Sequence, residues 1–280
     1  MRMPWVRHWV FHACGALGAA GWAAAGAPAA PPAGGGAGGP PPAVDLRPRF
    51  ARLGLAPRSQ GARPTCSAMA VAGALEFALA GGQGQAARLS PEFLNWAANQ
   101  AAGEHHDGGN FADLWKGFVA HGICAENRMP YRARFEPAVP PDAAALDDAR
   151  TRAAVPPRLN WIKEWDVKTG LTAGHLLQIK RTLGQGWPVC AGLRWPRQEQ
   201  WVGDVLQMCP PDQVFDGHSV LVVGYRDDGA QPGGGVLVFR NSARGGADGA
   251  MPYAYAIAYT NDAAWVEPAE PGGAAHRPPP

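Results

Sequence analysis

The fold depends most on residues 66–79, whose sequence is CSAMAVAGALEFAL. This stretch is rich in alanine and apolar on nearly every side, which is typical of a helix buried in a core. Thr65, directly before it, is an acceptable N-cap. The sequence therefore predicts a buried helix over 66–79 that begins at Cys66.

The position of Cys66 at the start of a predicted helix affects the acidity of its thiol. Backbone N–H groups at a helix N-terminus stabilise a thiolate, so the pKa of a cysteine there is expected to fall. Taken alone, such a cysteine is most often a small buried apolar residue. Gln60 lies just upstream, however, and His218 and Asn241 lie far downstream. Separations of this kind fit a nucleophile and a base carried on different halves of a fold.

Further helices are predicted in the first half of the chain. Ser90-Pro91-Glu92 combines an N-cap, a first-turn proline and a first-turn acid. The apolar residues over 111–119 form one stripe that ends before Gly122. After a loop-like stretch over 131–160, a last helix is expected over 172–183.

Strands are predicted in the second half, over 187–193, 219–225, 236–240 and 253–259. Gly233-Gly234-Gly235 joins two of them and does not open a helix, so it is not a phosphate-binding loop. Helices that come first and strands that come later indicate an α+β protein whose two halves pack against each other.

With these residues in view, the sequence resembles the papain-like cysteine peptidases over residues 44–259. The order of the key residues in that family is glutamine, cysteine, histidine, asparagine. Here Gln60, Cys66, His218 and Asn241 follow the same order, and each stands in the matching predicted setting. The resemblance is to bacterial-type members without the long inhibitory propeptide.

Two further stretches agree with the family. Leu89-Ser90-Pro91-Glu92 is similar to its second-helix entry, and Asp107-Gly108-Gly109-Asn110 to its substrate-binding glycine pair. The resemblance implies a two-lobed α+β fold, with a mainly helical lobe over 44–155, a β-barrel-like lobe over 156–267 and the active-site cleft between them.

The resemblance also implies roles. Cys66 and His218 would form an ion pair and attack a peptide carbonyl to give a thioester, with Asn241 orienting the imidazole. Gln60 and the Cys66 N–H would bind the oxyanion. Gly108, Gly109 and Gly217 would line the substrate cleft, where a missing Cβ lets a peptide approach closely. The implied activity is that of a cysteine endopeptidase.

Several positions depart from the family. Arg63 and His106 replace two cysteines that are normally disulfide-bonded, and Ala243 replaces the tryptophan that usually shields the His-Asn bond. Gly217 replaces the residue commonly found before the histidine. Two alternatives therefore stay open: an acyltransferase or amide-processing enzyme with the same site, or a binding module without turnover.

The composition of the chain limits the classes of binding partner that are expected. The chain has 280 residues and a net charge of +2, with no basic run between aromatics, so nucleic acid is not an expected partner. His105-His106-Asp107 with His121 and Cys124 is a weak metal pattern, because adjacent histidines point in different directions. We expect no metal or other cofactor, a peptide or protein substrate, and a monomer.

The N- and C-terminal segments of the chain differ in composition from the predicted folded core. Residues 1–28 are expected to be a signal peptide, 29–43 a Gly/Pro-rich linker and 268–280 a disordered tail. The protein is then expected to be exported, secreted or periplasmic, with no stable membrane insertion after the signal is removed; a membrane-anchored form is the alternative. Disulfide pairing among Cys124, Cys190 and Cys209 stays open.

Overall fold

The structure is a computed structural model, and it describes residues 39–80, 85–153 and 156–268. The predicted signal peptide, most of the predicted linker and nearly all of the predicted tail lie outside these residues. The division into lobes at residue 155 stays a prediction. The described part of the chain forms the following helices and strands: β1 Ala43–Asp45, α1 Arg47–Arg52, α2 Cys66–Leu79, α3 Pro91–Ala102, α4 Phe111–His121, α5 Ala143–Arg152, β2 Arg158–Lys163, α6 Ala173–Gly184, β3 Val189–Pro196, β4 Trp201–Val202, β5 Val205–Leu206, β6 Val214–Asp227, β7 Gly235–Asn241, β8 Ala247–Pro252, α7 Tyr253–Tyr259 and β9 Thr260–Glu267.

One mixed sheet carries all nine of these strands. Its order is β2-β9-β3-β6-β7-β8-β5-β4, with β1 paired to β6. The pairs are antiparallel except β5 with β8, which is parallel. Strand β6 is therefore flanked by β3 and β7: β3 pairs with its first part, which contains His218, and β7 pairs with it from Leu221 onward.

Helix α2 lies between the other helices and the sheet, because it is apolar all round and must be covered on every side. Gly73 faces β6, where a Cβ would come 3.1 Å from Leu221. The buried carboxylate of Glu76 is compensated by an ion pair with Arg58 and by the N–H of Leu89 at 2.8 Å. The middle of α2 thus packs directly against the strand that carries His218.

Most of the predicted elements are confirmed. Helix α2 spans 66–79 as expected, Ser90 Oγ accepts the Phe93 N–H at 2.9 Å to cap α3, and α4 ends at Gly122. Two details differ. The Thr65 hydroxyl makes no capping bond and instead contacts Tyr131 Oη at 2.5 Å. Val119, at the end of the apolar stripe, is exposed.

Two predictions were wrong. Residues 253–259 form helix α7 and not a strand, because Tyr255 and Tyr259 pack together one turn apart, with ring centroids at 4.9 Å. The predicted loop over 131–160 contains α5, whose buried face consists only of Ala145 and Ala149. Alanines give little apolar contrast, so this helix has a weak periodic signal.

Candidate active site

Cys66 is the first residue of α2 and is nearly buried. Its thiol donates a long hydrogen bond, 3.9 Å, to the carbonyl of Gly217. Burial raises the pKa of the Cys66 thiol, although the N–H groups of Ser219 and Ser67 and the Ser219 hydroxyl lower it. The net direction is opposite to the one expected from the helix N-terminus, because desolvation outweighs the helix N–H groups.

His218 and Asn241 form a buried pair at the centre of the sheet. His218 lies in β6 and its Nε2 is 2.9 Å from Asn241 Oδ1, at the end of β7. The same oxygen accepts the Ala243 N–H at 3.0 Å. An atom that accepts a backbone N–H is the oxygen of the amide, so His218 Nε2 must carry a proton. The neutral imidazole then presents Nδ1 as a proton acceptor.

The Cys66 thiol contacts the residue next to His218 in the sequence and is not hydrogen-bonded to the imidazole itself. The thiol's hydrogen bond goes to Gly217, the residue before His218. Burial lowers the pKa of His218, while the Asn241 bond and the charge of Glu199 raise it. Because burial also raises the pKa of the Cys66 thiol, both directions favour a neutral thiol beside a neutral imidazole. The ion pair implied by the resemblance stays a prediction.

Gln60 lies in the turn before α2 and its side chain is fixed at both ends. Nε2 donates to the Arg63 carbonyl at 2.8 Å, and Oε1 accepts from Ser242 Oγ at 2.7 Å. The Gln60 N–H also donates to the Ser242 carbonyl at 2.9 Å. An amide NH2 has two hydrogens, so one of them is still available for a further acceptor.

The three predicted cleft glycines have different surroundings. Gly108 is buried at φ +91°, and a Cβ there would come 2.1 Å from the carbonyl oxygen of Pro64. It therefore lets the 105–110 loop pack against the turn before Cys66. Gly109 and Gly217 are exposed and line a cavity of about 170 Å³ together with His218. Substrate contact by these glycines stays a prediction.

Arg63 connects the two loops. Its guanidinium is buried and forms ion pairs with Glu92 and with Asp107, the latter at 2.8 Å. It also donates to the Arg132 carbonyl at 2.9 Å and lies over the Tyr131 ring, 4.6 Å from its centroid. The four cysteines in the described ranges are all free thiols. Charge pairs, and no disulfide, hold the loop of Arg63 to that of Asp107.

Over most of its length the chain is similar to solved structures of cysteine proteases. Xylellain, a cysteine protease from Xylella fastidiosa, matches with a TM-score of 0.64 and 22% identity, covering 82% of this chain and 87% of that chain. Procathepsin L 3 of Tenebrio molitor larval midgut matches with a TM-score of 0.55 and 20% identity, over 81% and 71% of the two chains. The ragweed pollen allergen Amb a 11, a cysteine protease in its proform, matches with a TM-score of 0.57 and 19% identity, over 84% and 67%.

The chain has the papain-like fold. It is an α+β fold of two lobes, as the sequence predicted. No family model and no curated protein matches the sequence. In this papain-like fold, α2 supplies Cys66 from the helical side, and β6 and β7 supply His218 and Asn241 from the sheet.

Several residues of the site were not foreseen as such. Ser242 orients the Gln60 amide, and Tyr131 Oη donates to the Gln60 carbonyl at 2.8 Å. Ser242 follows Asn241 in the sequence, which could have drawn attention to it. Tyr131 lies far from the motifs and has no sequence signal. Among the residues that the structure describes, no helix has the length and apolar character needed to cross a bilayer.

Proposed function

We propose that the protein is a cysteine-type peptidase that hydrolyses peptide bonds through Cys66, His218, Asn241 and Gln60. The observation that carries this proposal is the shared acceptor Asn241 Oδ1, which takes both the His218 Nε2–H and the Ala243 N–H. This bond leaves His218 Nδ1 as the base. The preceding residue, Gly217, already accepts a hydrogen bond from the Cys66 thiol through its carbonyl.

The acylation step follows from these groups. The Cys66 thiol gives its proton to His218 Nδ1, and the sulfur electron pair forms a bond to the substrate carbonyl carbon. The carbonyl oxygen becomes an oxyanion, which the free hydrogen of Gln60 Nε2 and the Cys66 N–H stabilise. The C–N bond then breaks, the amine takes the proton from the imidazolium, and a thioester remains.

Hydrolysis of the thioester repeats the proton path. A water molecule gives a proton to His218 Nδ1 as its oxygen attacks the thioester carbon, and the sulfur leaves as a thiolate that recovers the proton. Throughout, the Nε2–H bond to Asn241 keeps the imidazole in the tautomer that the reaction needs. The cavity at Gly109 and Gly217 is a candidate site for a side chain on the acyl side of the scissile bond.

The decisive experiment uses the full chain. Wild type, Cys66→Ala and the matched control Cys209→Ala are incubated under reducing conditions with a peptide library, and the products are read by mass spectrometry. We expect internal cleavage by wild type and Cys209→Ala and none by Cys66→Ala. Products joined to an added amine would favour acyl transfer. If wild type neither cleaves nor is labelled at Cys66 by a peptide electrophile, a binding module remains.

Gln60→Ala is expected to lower kcat by about 100-fold, because one oxyanion donor is lost. Alkylation of Cys66 by iodoacetamide builds no oxyanion, so its rate is expected to change little. The measurement is kcat on a cleaved peptide beside the alkylation rate. A parallel fall of both rates would show that Gln60 supports the thiol and not the oxyanion.

Export, the signal peptide and a monomeric state stay predictions. The first two depend on residues outside the described ranges. Endopeptidase specificity is likewise part of the proposal, and the positions of cleavage within library peptides test it directly.

A further inference from the structure

Glu199 lies in the loop between β3 and β4, and its carboxylate binds two tryptophans. Trp195 Nε1 donates to Oε1 and Trp201 Nε1 donates to Oε2, both at 2.9 Å. The carboxylate is 18% exposed. Two indole N–H bonds to one carboxylate fix both rings relative to each other.

Trp195 contacts the proposed catalytic base. Its ring meets His218 edge-on, with centroids 4.5 Å apart, and only 3% of the residue is exposed. Its other aromatic contacts are with Phe239 and Tyr255. The imidazole is therefore held by the Asn241 bond at Nε2 and by an indole against its ring.

The third group on Glu199 comes from the loop after Asn241. Arg244 Nε is 3.0 Å from Glu199 Oε2, and its guanidinium lies 5.6 Å from the Trp201 ring centroid. Among the residues that the structure describes, Arg244 is the one non-glycine residue with a positive φ, 54°. That conformation costs energy for a residue with a Cβ. The ion pair with Glu199 helps to hold the loop whose Ala243 N–H binds Asn241.

We propose that Glu199 is a positioning residue for His218, because its carboxylate ties the Trp195 ring and the loop after Asn241 into one unit. This inference rests on the proposed function, in which His218 is the base. Ala243 leaves the Asn241 side chain without a large neighbour in sequence, and Trp201 and Arg244 line the space beside it.

The charge of Glu199 predicts the direction in which the pH midpoint of Cys66 alkylation shifts when that charge is removed. The charged or titratable groups around His218 are Cys66 on α2, Glu199 after β3, Arg244 after β7, and Asp262 of β9, which lines the same cavity as His218. A nearby carboxylate raises the pKa of the imidazolium and also disfavours a thiolate beside it. Removing its charge therefore lets the thiolate form at lower pH.

The test compares Glu199→Gln with Arg244→Ala in the full chain. For Glu199→Gln we expect the pH midpoint of Cys66 alkylation to fall by about half a unit and kcat to fall with KM unchanged. For Arg244→Ala, which removes the opposite charge from the same ion pair, the midpoint is expected to stay or to rise. A purely structural loosening would relieve the burial of the thiol and move both midpoints downward, and that result overturns the proposal.

Two further variants complete the design. Trp195→Phe keeps the ring and the Glu199 charge but loses the N–H bond, so kcat is expected to fall several-fold with no shift of the midpoint. Glu267→Gln, in a surface pair with Arg158, is the matched control and should change neither quantity. An unshifted midpoint in folded Glu199→Gln contradicts the inference. If that variant does not fold, a downward shift of the midpoint in Arg244→Ala contradicts it instead.

The two proposals fail separately. Alkylation reports on the thiol whether or not peptides are cleaved, so a wild type without peptidase activity overturns the proposed function alone. Cleavage that depends on Cys66 but is indifferent to Glu199 overturns the positioning role alone.

Discussion

Replacement of His218 by alanine is expected to lower kcat about 10⁴-fold, as for the loss of other members of a coupled nucleophile and base. The thiol then has no acceptor for its proton. Burial raises the pKa of Cys66, so at pH 7 very little thiolate would form without help. The rate of Cys66 alkylation is expected to be low at pH 7 and to rise about tenfold per pH unit toward alkaline pH.

The measurement combines peptide turnover with the pH profile of alkylation between pH 6 and 10. His106→Ala is the matched control, because the His106 side chain is 73% exposed on the loop before the glycine pair. It should keep the wild-type profile. Turnover within tenfold of wild type in folded His218→Ala would exclude His218 as the base.

Replacement of Arg63 by methionine is expected to reduce the free energy of unfolding by about 3–5 kcal/mol. The change leaves the carboxylates of Glu92 and Asp107 facing each other without their shared cation. Their desolvation is then uncompensated, and the turn that carries Gln60 and Cys66 loses its tie to the 105–110 loop. Urea unfolding followed by circular dichroism gives the free energy.

Two variants sharpen this result. Arg150→Met breaks an ion pair whose partners are both largely exposed, and it should cost about 1 kcal/mol or less. Combining Arg63→Met with Glu92→Gln and Asp107→Asn removes the unpaired charges, so part of the lost stability should return. Equal losses of unfolding free energy for Arg63→Met and Arg150→Met would mean that the buried cluster contributes no more stability than an exposed ion pair.

The sequence predicted best those features that short segments specify. Ser90-Pro91 caps α3 through local bonds, and the order of Gln60, Cys66, His218 and Asn241 predicted the papain-like fold that the solved structures share. Helix α7 was missed because alternating tyrosine and alanine residues suit a strand as well as a helix. Only the packing of Tyr255 and Tyr259 against their neighbours decides between them.

The site residues that could not be predicted depend on contacts between distant segments. Arg63 meets Glu92 and Asp107 only after α3 and the 105–110 loop are in place. The direction of the Cys66 pKa shift depends on burial beneath β6, which a helix N-terminus in the sequence cannot reveal. Glu199 likewise follows no motif, since its partners come from β3, β4 and the loop after β7.

The position of β9 has a consequence for synthesis of the chain. This strand, Thr260–Glu267, lies between β2 and β3, and β3 in turn borders the strand that carries His218. Until residue 267 has left the ribosome, the backbone groups of β3 on that side have no partner. Strand β3 therefore gains its second neighbouring strand late in synthesis, and the part of the sheet beside His218 is completed only then.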